Sequence, residues 1–102
     1  MAAADSQAWR QMQKSLRSLE YGRLIAMLVA AREASGIQQQ KLAEKLGKPQ
    51  SFISKYEAGQ RRIDVIEFIA ITRALGADPV KLFKDFIAGK SPVNPKGKAT
   101  KA

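Results

Sequence analysis

The stretch that decides the fold runs from Ile37 to Arg62 and reads IQQQKLAEKLGKPQSFISKYEAGQRR. Its apolar residues are spaced as on a helix both before and after Gly47, and nothing in it alternates as a strand does. In the first part, Leu42 and Leu46 fall on one face. A glycine readily adopts the left-handed conformation that ends a helix. The stretch therefore predicts a short helix, a tight turn at Gly47 and a second short helix.

The second helix, predicted over residues 50–57, has two different sides when each residue turns by about 100°. Large apolar residues fall on one side, namely Phe52, Ile53 and Tyr56. Short polar groups and an ammonium group fall on the other, namely Gln50, Ser51, Ser54 and Lys55. Such groups can hydrogen-bond to base edges in the major groove of DNA, which is wide enough for a helix. We favour contact with nucleic acid over the alternative, a plain solvent-exposed face.

Helical spacing predicts three further helices, over residues 20–35, over 64–75 and from Asp78 onward. Asp64 and Glu67 have the spacing of a capping box, and Asp78 is followed by a proline, which suits the first helical turn. The predicted fold class is therefore all-α, with five helices in one central domain.

The composition disfavours several functions. The chain of 102 residues contains neither cysteine nor histidine, so the usual thiolate and imidazole groups are missing. We expect no metal, no cofactor and no enzymatic activity, because the pair Ser51 and Lys55 would need a desolvated pocket to act in catalysis. The longest apolar run, Leu24–Ala31, is too short to span a membrane, and the N-terminus lacks a secretion signal. We therefore expect a cytoplasmic protein that does not contact a membrane.

The charge distribution points to a polyanionic partner. The net charge is +9, and the basic excess is concentrated in residues 37–62 and in the two termini. A basic excess in one segment favours binding to nucleic acid. For the C-terminal tail alone, solubility is an equally good explanation.

Both termini differ from the central domain. We expect an N-terminal helical extension over residues 1–19, the domain over 20–88, and a disordered Lys-rich tail over 89–102. The extension carries one apolar stripe at helical spacing, formed by Trp9, Met12, Leu16 and Leu19. This stripe either packs on its own domain or serves as a dimerisation or docking arm.

The quoted stretch resembles the Xre family, the Cro and phage-repressor type of helix-turn-helix. The shared features are a helix that ends in Leu-Ala-x-x-Leu-Gly, a polar turn, and the run QSFISKYEAGQR. The similarity continues through DVIEFIAITRALGADPVKLF and covers Tyr21 to about Ile87. It implies a five-helix, lambda-repressor-like domain that binds double-stranded operator DNA as a two-fold homodimer. No small-molecule ligand is expected, because the chain has no room for a ligand domain.

The resemblance also implies roles for particular residues. Base edges would be read by Gln50, Ser51 and Lys55, with Ser54 touching base or backbone. Phosphates would be held by Gln39 and by a loop that contains Arg61 and Arg62. We also expect three further residues to contact phosphates because of their charge or their position, namely Gln40, Lys41 and Lys48. A structural salt bridge would join Arg32 to Glu57; the alternative is an exposed pair that contributes little to stability.

Two positions depart from the family pattern. Gln38 stands where Thr is common, and Pro49 stands where Ser or Thr is common. Both are helix-capping positions, and neither side chain caps well.

The sequence thus leads to a sequence-specific DNA-binding transcriptional regulator, and in particular a repressor, that reads the major groove with residues 50–57. Its half-sites would lie about 10 bp apart. Phe86 and Ile87 are candidate dimer contacts. The alternative is an antitoxin or adaptor-type interaction module of the same fold.

Overall fold

The computed structural model describes the backbone of residues 6–90 and the side chains of residues 19–90. This part of the chain forms five α-helices and no strand, which confirms the predicted fold class. The helices are α1 (Ser6–Ser35), α2 (Gln39–Leu46), α3 (Gln50–Glu57), α4 (Val65–Ala74) and α5 (Pro79–Ile87).

The turn between α2 and α3 depends on Gly47, as predicted. Gly47 has a φ of 67°, in the left-handed region that a residue with a Cβ rarely adopts. Two backbone hydrogen bonds close the turn: Gly47 donates to the carbonyl of Glu44 at 3.1 Å, and Lys48 donates to that of Ala43 at 3.0 Å. The turn is therefore short, and α2 packs directly on α3.

The helix starts follow the side chains that stand there. Asp64 and Glu67 form the predicted capping box at α4, with bonds of 2.7 and 2.9 Å between side chains and backbone N–H groups. Asp78 caps α5 ahead of the proline. Gln38 and Pro49 make no side-chain cap at α2 and α3, in line with their poor capping chemistry. Pro49 occupies the N-cap of α3 itself rather than its first turn.

The core joins the first four helices. Its fully buried residues come from each of them: Leu28, Leu42, Ile53, Tyr56 and Ile71. No residue of α5 is fully buried, although Leu82 packs against the core and Phe83 meets Phe68 edge to face. The fifth helix therefore covers the core while keeping an apolar side toward solvent.

The first helix differs from the expected organisation. It runs from Ser6 to Ser35 without a break between the extension and the domain. Leu19 does not pack on the domain, since 71% of its surface is exposed. The side chains of Trp9, Met12 and Leu16 lie outside the described residues. Residues 91–102 of the expected disordered tail also lie outside them, so the division at residues 19 and 88 remains a prediction.

Candidate nucleic-acid interface

The exposed side of α3 carries the residues expected to read bases. Gln50, Ser51 and Lys55 are exposed, and Ser54 is half-buried with its hydroxyl donating to the carbonyl of Ser51 at 3.3 Å. Their common side faces solvent, because the residues opposite are buried: Phe52, Ile53 and Tyr56. The helix thus presents polar groups on a rigid support.

Tyr56 is the deepest anchor of α3. None of its surface is exposed, and its ring meets that of Phe52 edge to face with centroids 5.6 Å apart. Burial raises the pKa of its hydroxyl, so the side chain stays neutral at any physiological pH. The anchor therefore adds no charge beneath the polar side of the helix.

A chain of hydrogen bonds links the core side of the domain to Gln50. Arg32 on α1 donates twice to the carboxylate of Glu57, at 2.7 and 3.1 Å. The amide of Gln39 donates to the same carboxylate at 2.8 Å, and the amide of Gln50 donates to the oxygen of Gln39 at 3.3 Å. Three helices thus fix the position of one exposed amide, whose oxygen and second N–H remain to pair with a base.

The pair of Arg32 and Glu57 is not an exposed surface contact. The two side chains are only 13% and 8% exposed, and Arg32 also donates to the carbonyl of Ile37 at 2.9 Å. The hydrogen bonds that Arg32 donates to Glu57 raise the pKa of Arg32 above its ordinary value. Such a shielded, two-pronged pair fixes geometry better than a solvated one.

Three basic residues beside α3 rest on aromatic rings. Lys48 and Arg61 lie over Phe52, at 5.1 and 4.6 Å from its centroid. Arg62 lies over Tyr21 at 4.1 Å. Cation–π contact restricts these side chains without removing their charge.

Tyr21 is a residue of this region that the sequence did not single out. Its hydroxyl donates to the carbonyl of Arg61 at 3.3 Å and accepts from the N–H of Ile63 at 3.1 Å. These bonds tie the loop after α3 to the first helix. The only signal in the sequence is a tyrosine at helical spacing, which reads as a core residue.

Glu67 is a second residue with an unpredicted role, because it binds Arg61 as well as capping α4. Arg61 donates to its two carboxylate oxygens at 3.0 and 3.1 Å. The hydrogen bonds from Arg61 and from the N–H of Asp64 lower the pKa of Glu67. The charge of Arg61 is therefore partly neutralised, whereas within the described part of the chain no carboxylate pairs with Arg62.

One residue in the first turn of α2 is hydrogen-bonded to the polar side of α3. Gln39 makes that link, while Gln40 and Lys41 are exposed and form no described hydrogen bond to α3. Lys41 lies 3.7 Å from Glu44 on its own helix. Unpaired N–H groups at this helix start add a partial positive charge close to Gln39.

The part of the chain that the structure describes contains neither a metal-binding cluster nor a membrane-spanning helix. Among residues 19–90 no three carboxylate, histidine or cysteine side chains come together as a metal site would require. None of the five helices, so far as the chain is described, combines the length and apolarity needed to cross a bilayer.

A five-helix domain with a tight turn between α2 and α3, and with a polar, unobstructed side on α3, defines a helix-turn-helix DNA-binding protein. The comparisons agree with this class. The helix-turn-helix family model matches residues 28–82, more than half of the chain. The chain belongs to this family, in its Xre-type branch.

A solved structure described as "XRE-family like protein from Pseudomonas syringae pv. tomato str. DC3000" is similar to the chain. Sequence identity is 44% and the TM-score is 0.74, over 76% of this chain and 95% of the other. None of the curated proteins compared with the chain is significantly similar to it. The protein is thus a helix-turn-helix DNA-binding regulator of the Xre type.

The shielded ion pair predicts a large loss of stability when one partner is removed. Arg32→Met leaves the carboxylate of Glu57 with little solvent and should lower the free energy of unfolding by about 3 kcal/mol. Adding Glu57→Gln should recover part of that loss. Urea unfolding of the single and double variants measures the coupling. Lys41→Met is the control, because it removes an exposed pair and should change stability by less than about 1 kcal/mol. Equal losses in both arginine and lysine variants would contradict the interpretation.

The pair of Arg61 and Glu67 predicts a dependence of stability on pH. A lowered carboxyl pKa stabilises the folded protein above the ordinary value of about 4.3, and this contribution is lost as pH falls through the lowered pKa. Glu67→Gln keeps an acceptor for the capping box but cannot ionise. Between about pH 5 and pH 3, its free energy of unfolding should therefore fall less steeply than that of the wild type. Arg61→Ala should flatten the same region, and an unchanged slope in both variants would refute this role.

Proposed function

We propose that the protein is a sequence-specific transcriptional repressor that binds double-stranded operator DNA as a homodimer. Each copy inserts α3 into the major groove, with Gln50, Ser51, Ser54 and Lys55 against base edges. The observation that carries the proposal is the exposed polar side of α3 above a fully buried apolar side. Its place of action would be the compartment that holds the DNA, the cytoplasm.

Gln50 is the residue for which the chemistry is most specific. A glutamine can accept from N6 of adenine and donate to N7 at the same time. The bond to Gln39 uses one of its N–H groups and leaves the pair needed for adenine. Because three helices hold this amide, little side-chain freedom remains to be lost on binding.

Phosphate contacts would surround the base-reading residues. Lys48 precedes α3 and Arg62 lies in the loop after it; both are exposed and rest on aromatic rings. Arg61 stands in the same loop, but Glu67 competes for its guanidinium. Gln39, Gln40 and Lys41 would meet the backbone at the start of α2, where N–H groups attract a phosphate.

The homodimer would form through the outer side of α5. Val80, Phe83 and Ile87 lie on one stripe of that helix and are exposed. They border a groove of about 480 Å³ between α4 and α5, whose floor includes Phe68 and Ile69. A self-complementary helix face is the usual means of building a two-fold dimer, which a symmetric operator requires. Phe86 is less available, because its ring and carbonyl are both engaged by Arg23.

Selection from a random pool of duplex DNA tests the function. The protein should enrich a site with two related halves about one helical turn apart. Gln50→Ala should weaken binding to that site by about 1–3 kcal/mol and relax the preference at one position in each half. An enriched pool without a common sequence would overturn the proposal.

The matched control is Arg62→Ala, which removes a phosphate contact. It should weaken binding to selected and random DNA alike and reduce the slope of log K against log salt by about one. Arg61→Ala should reduce that slope less, since Glu67 already neutralises part of its charge. Equal effects of Gln50→Ala on selected and random DNA would show that Gln50 does not read a base.

The dimer has its own prediction. Ile87→Glu places a charge in the apolar stripe and should weaken self-association about tenfold or more, because an apolar contact is replaced by a buried charge. Ala88→Glu adds the same charge at the next residue, which caps the helix outside the stripe. Sedimentation equilibrium of both variants and of the wild type gives the dissociation constants. If both variants associate equally well, α5 is not the interface.

A further inference from the structure

The N-terminal half of α1 extends beyond the domain. Because α1 is one helix from Ser6 to Ser35, residues 6–19 continue the helix that packs in the core. Leu19 is 71% exposed where this extension begins. A single exposed apolar residue is ordinary, so the case for a contact depends on the pattern that continues from Leu19 along the extension.

The apolar stripe of the extension lies on a defined side of α1. At about 100° per residue, positions 9, 12, 16 and 19 fall within an arc of about 80°. Further along the same helix, Tyr21, Ile25 and Leu28 fall on the opposite side, whereas the buried residues Met27 and Ala30 fall on the stripe's side. The stripe therefore continues, toward the N-terminus, the side of α1 on which Met27 and Ala30 lie.

On the stripe's side of α1, Arg23 contacts the fifth helix. Arg23 continues the stripe in phase, and its guanidinium lies 4.5 Å from the centroid of Phe86, in the last turn of α5. It also donates to the carbonyl of Phe86 at 3.0 Å. Leu19 lies about one helical turn before Arg23 and is exposed, so α5, which ends at Ile87, does not cover this described residue of the stripe.

The sequence around the stripe suits a second copy of the same chain. Its spacing of three, four and three residues is that of a coiled-coil seam. The flanking heptad positions hold uncharged residues, Ala8, Gln13 and Ser15, and then Glu20, whose carboxylate already binds Arg23 at 2.8 Å. The basic residues of the extension occupy heptad positions on the far side: Arg10, Lys14 and Arg17. Two copies can thus approach without bringing like charges together. A seam built for an acidic partner would instead carry basic residues at its flanking positions, and this one does not.

We propose that the extension is a dimerisation arm that pairs with the arm of a second copy of this chain. The seam consists of Trp9, Met12, Leu16 and Leu19, and the basic side of each arm stays exposed. Two heptads are too short to pair alone. The pairing therefore rests on the homodimer proposed above and strengthens it by holding two copies together outside the α5 contact.

The test compares two double variants of the full chain without DNA. Met12→Glu with Leu19→Glu places charges in the seam. Gln11→Glu with Ser18→Glu adds the same two charges one residue earlier, outside it. Sedimentation equilibrium should show that the seam variant dissociates at about tenfold higher concentration or more than the control, with the same thermal unfolding of the domain.

The outcomes separate this inference from the function. A seam variant that associates as tightly as its control overturns the arm, whether the stripe is then covered within one copy or by another protein. A seam variant that keeps its dimer but loses affinity for DNA also overturns it, since the stripe would then contact DNA. A wild type that remains monomeric refutes both dimer contacts. Failure to enrich a common site from the DNA pool concerns the proposed function and leaves the arm result unaffected.

Discussion

The surface that we propose reads DNA depends on the hydrogen bonds that the carboxylate of Glu57 accepts. This carboxylate sits at the end of α3, receives two bonds from Arg32 on α1 and one from Gln39 on α2, and is almost fully shielded from water. Without it the first three helices would still pack through the apolar contacts of the core. The carboxylate adds direction, because its oxygens accept only at certain angles. The position of Gln50 follows through the amide of Gln39.

The basic residues near α3 differ in how much charge they can offer a phosphate. Lys48 and Arg62 each lie over a ring, and cation–π contact leaves their charge in place. Arg61 also lies over a ring, but a carboxylate holds its guanidinium at the same time. A count of basic residues would treat the three alike. Their available charge differs because Glu67, which caps the start of α4, also accepts hydrogen bonds from Arg61.

Among residues 19–90, apolar side chains are exposed at two places that we propose as dimer contacts. One is the stripe on α5, which contributes no fully buried residue to the core. The other is Leu19, where α1 leaves the domain. Both places are close to the contact between Arg23 and Phe86, which joins α1 to the last turn of α5. A dimer that used both would therefore have one contact on each side of this junction between the two helices.

The sequence by itself determined the elements and the two sides of α3. Periodicity, the glycine at position 47 and the capping box of Asp64 act within a few residues, so they can be read without knowing the fold. The pair of Arg32 and Glu57 was expected from the family resemblance. Only the tertiary structure decided the other partners: the bonds from Gln39 to Glu57 and from Gln50 to Gln39, the ring beneath Arg62 and the carboxylate on Arg61. Contacts between residues distant in the chain depend on how helices pack, and local patterns carry no information on that.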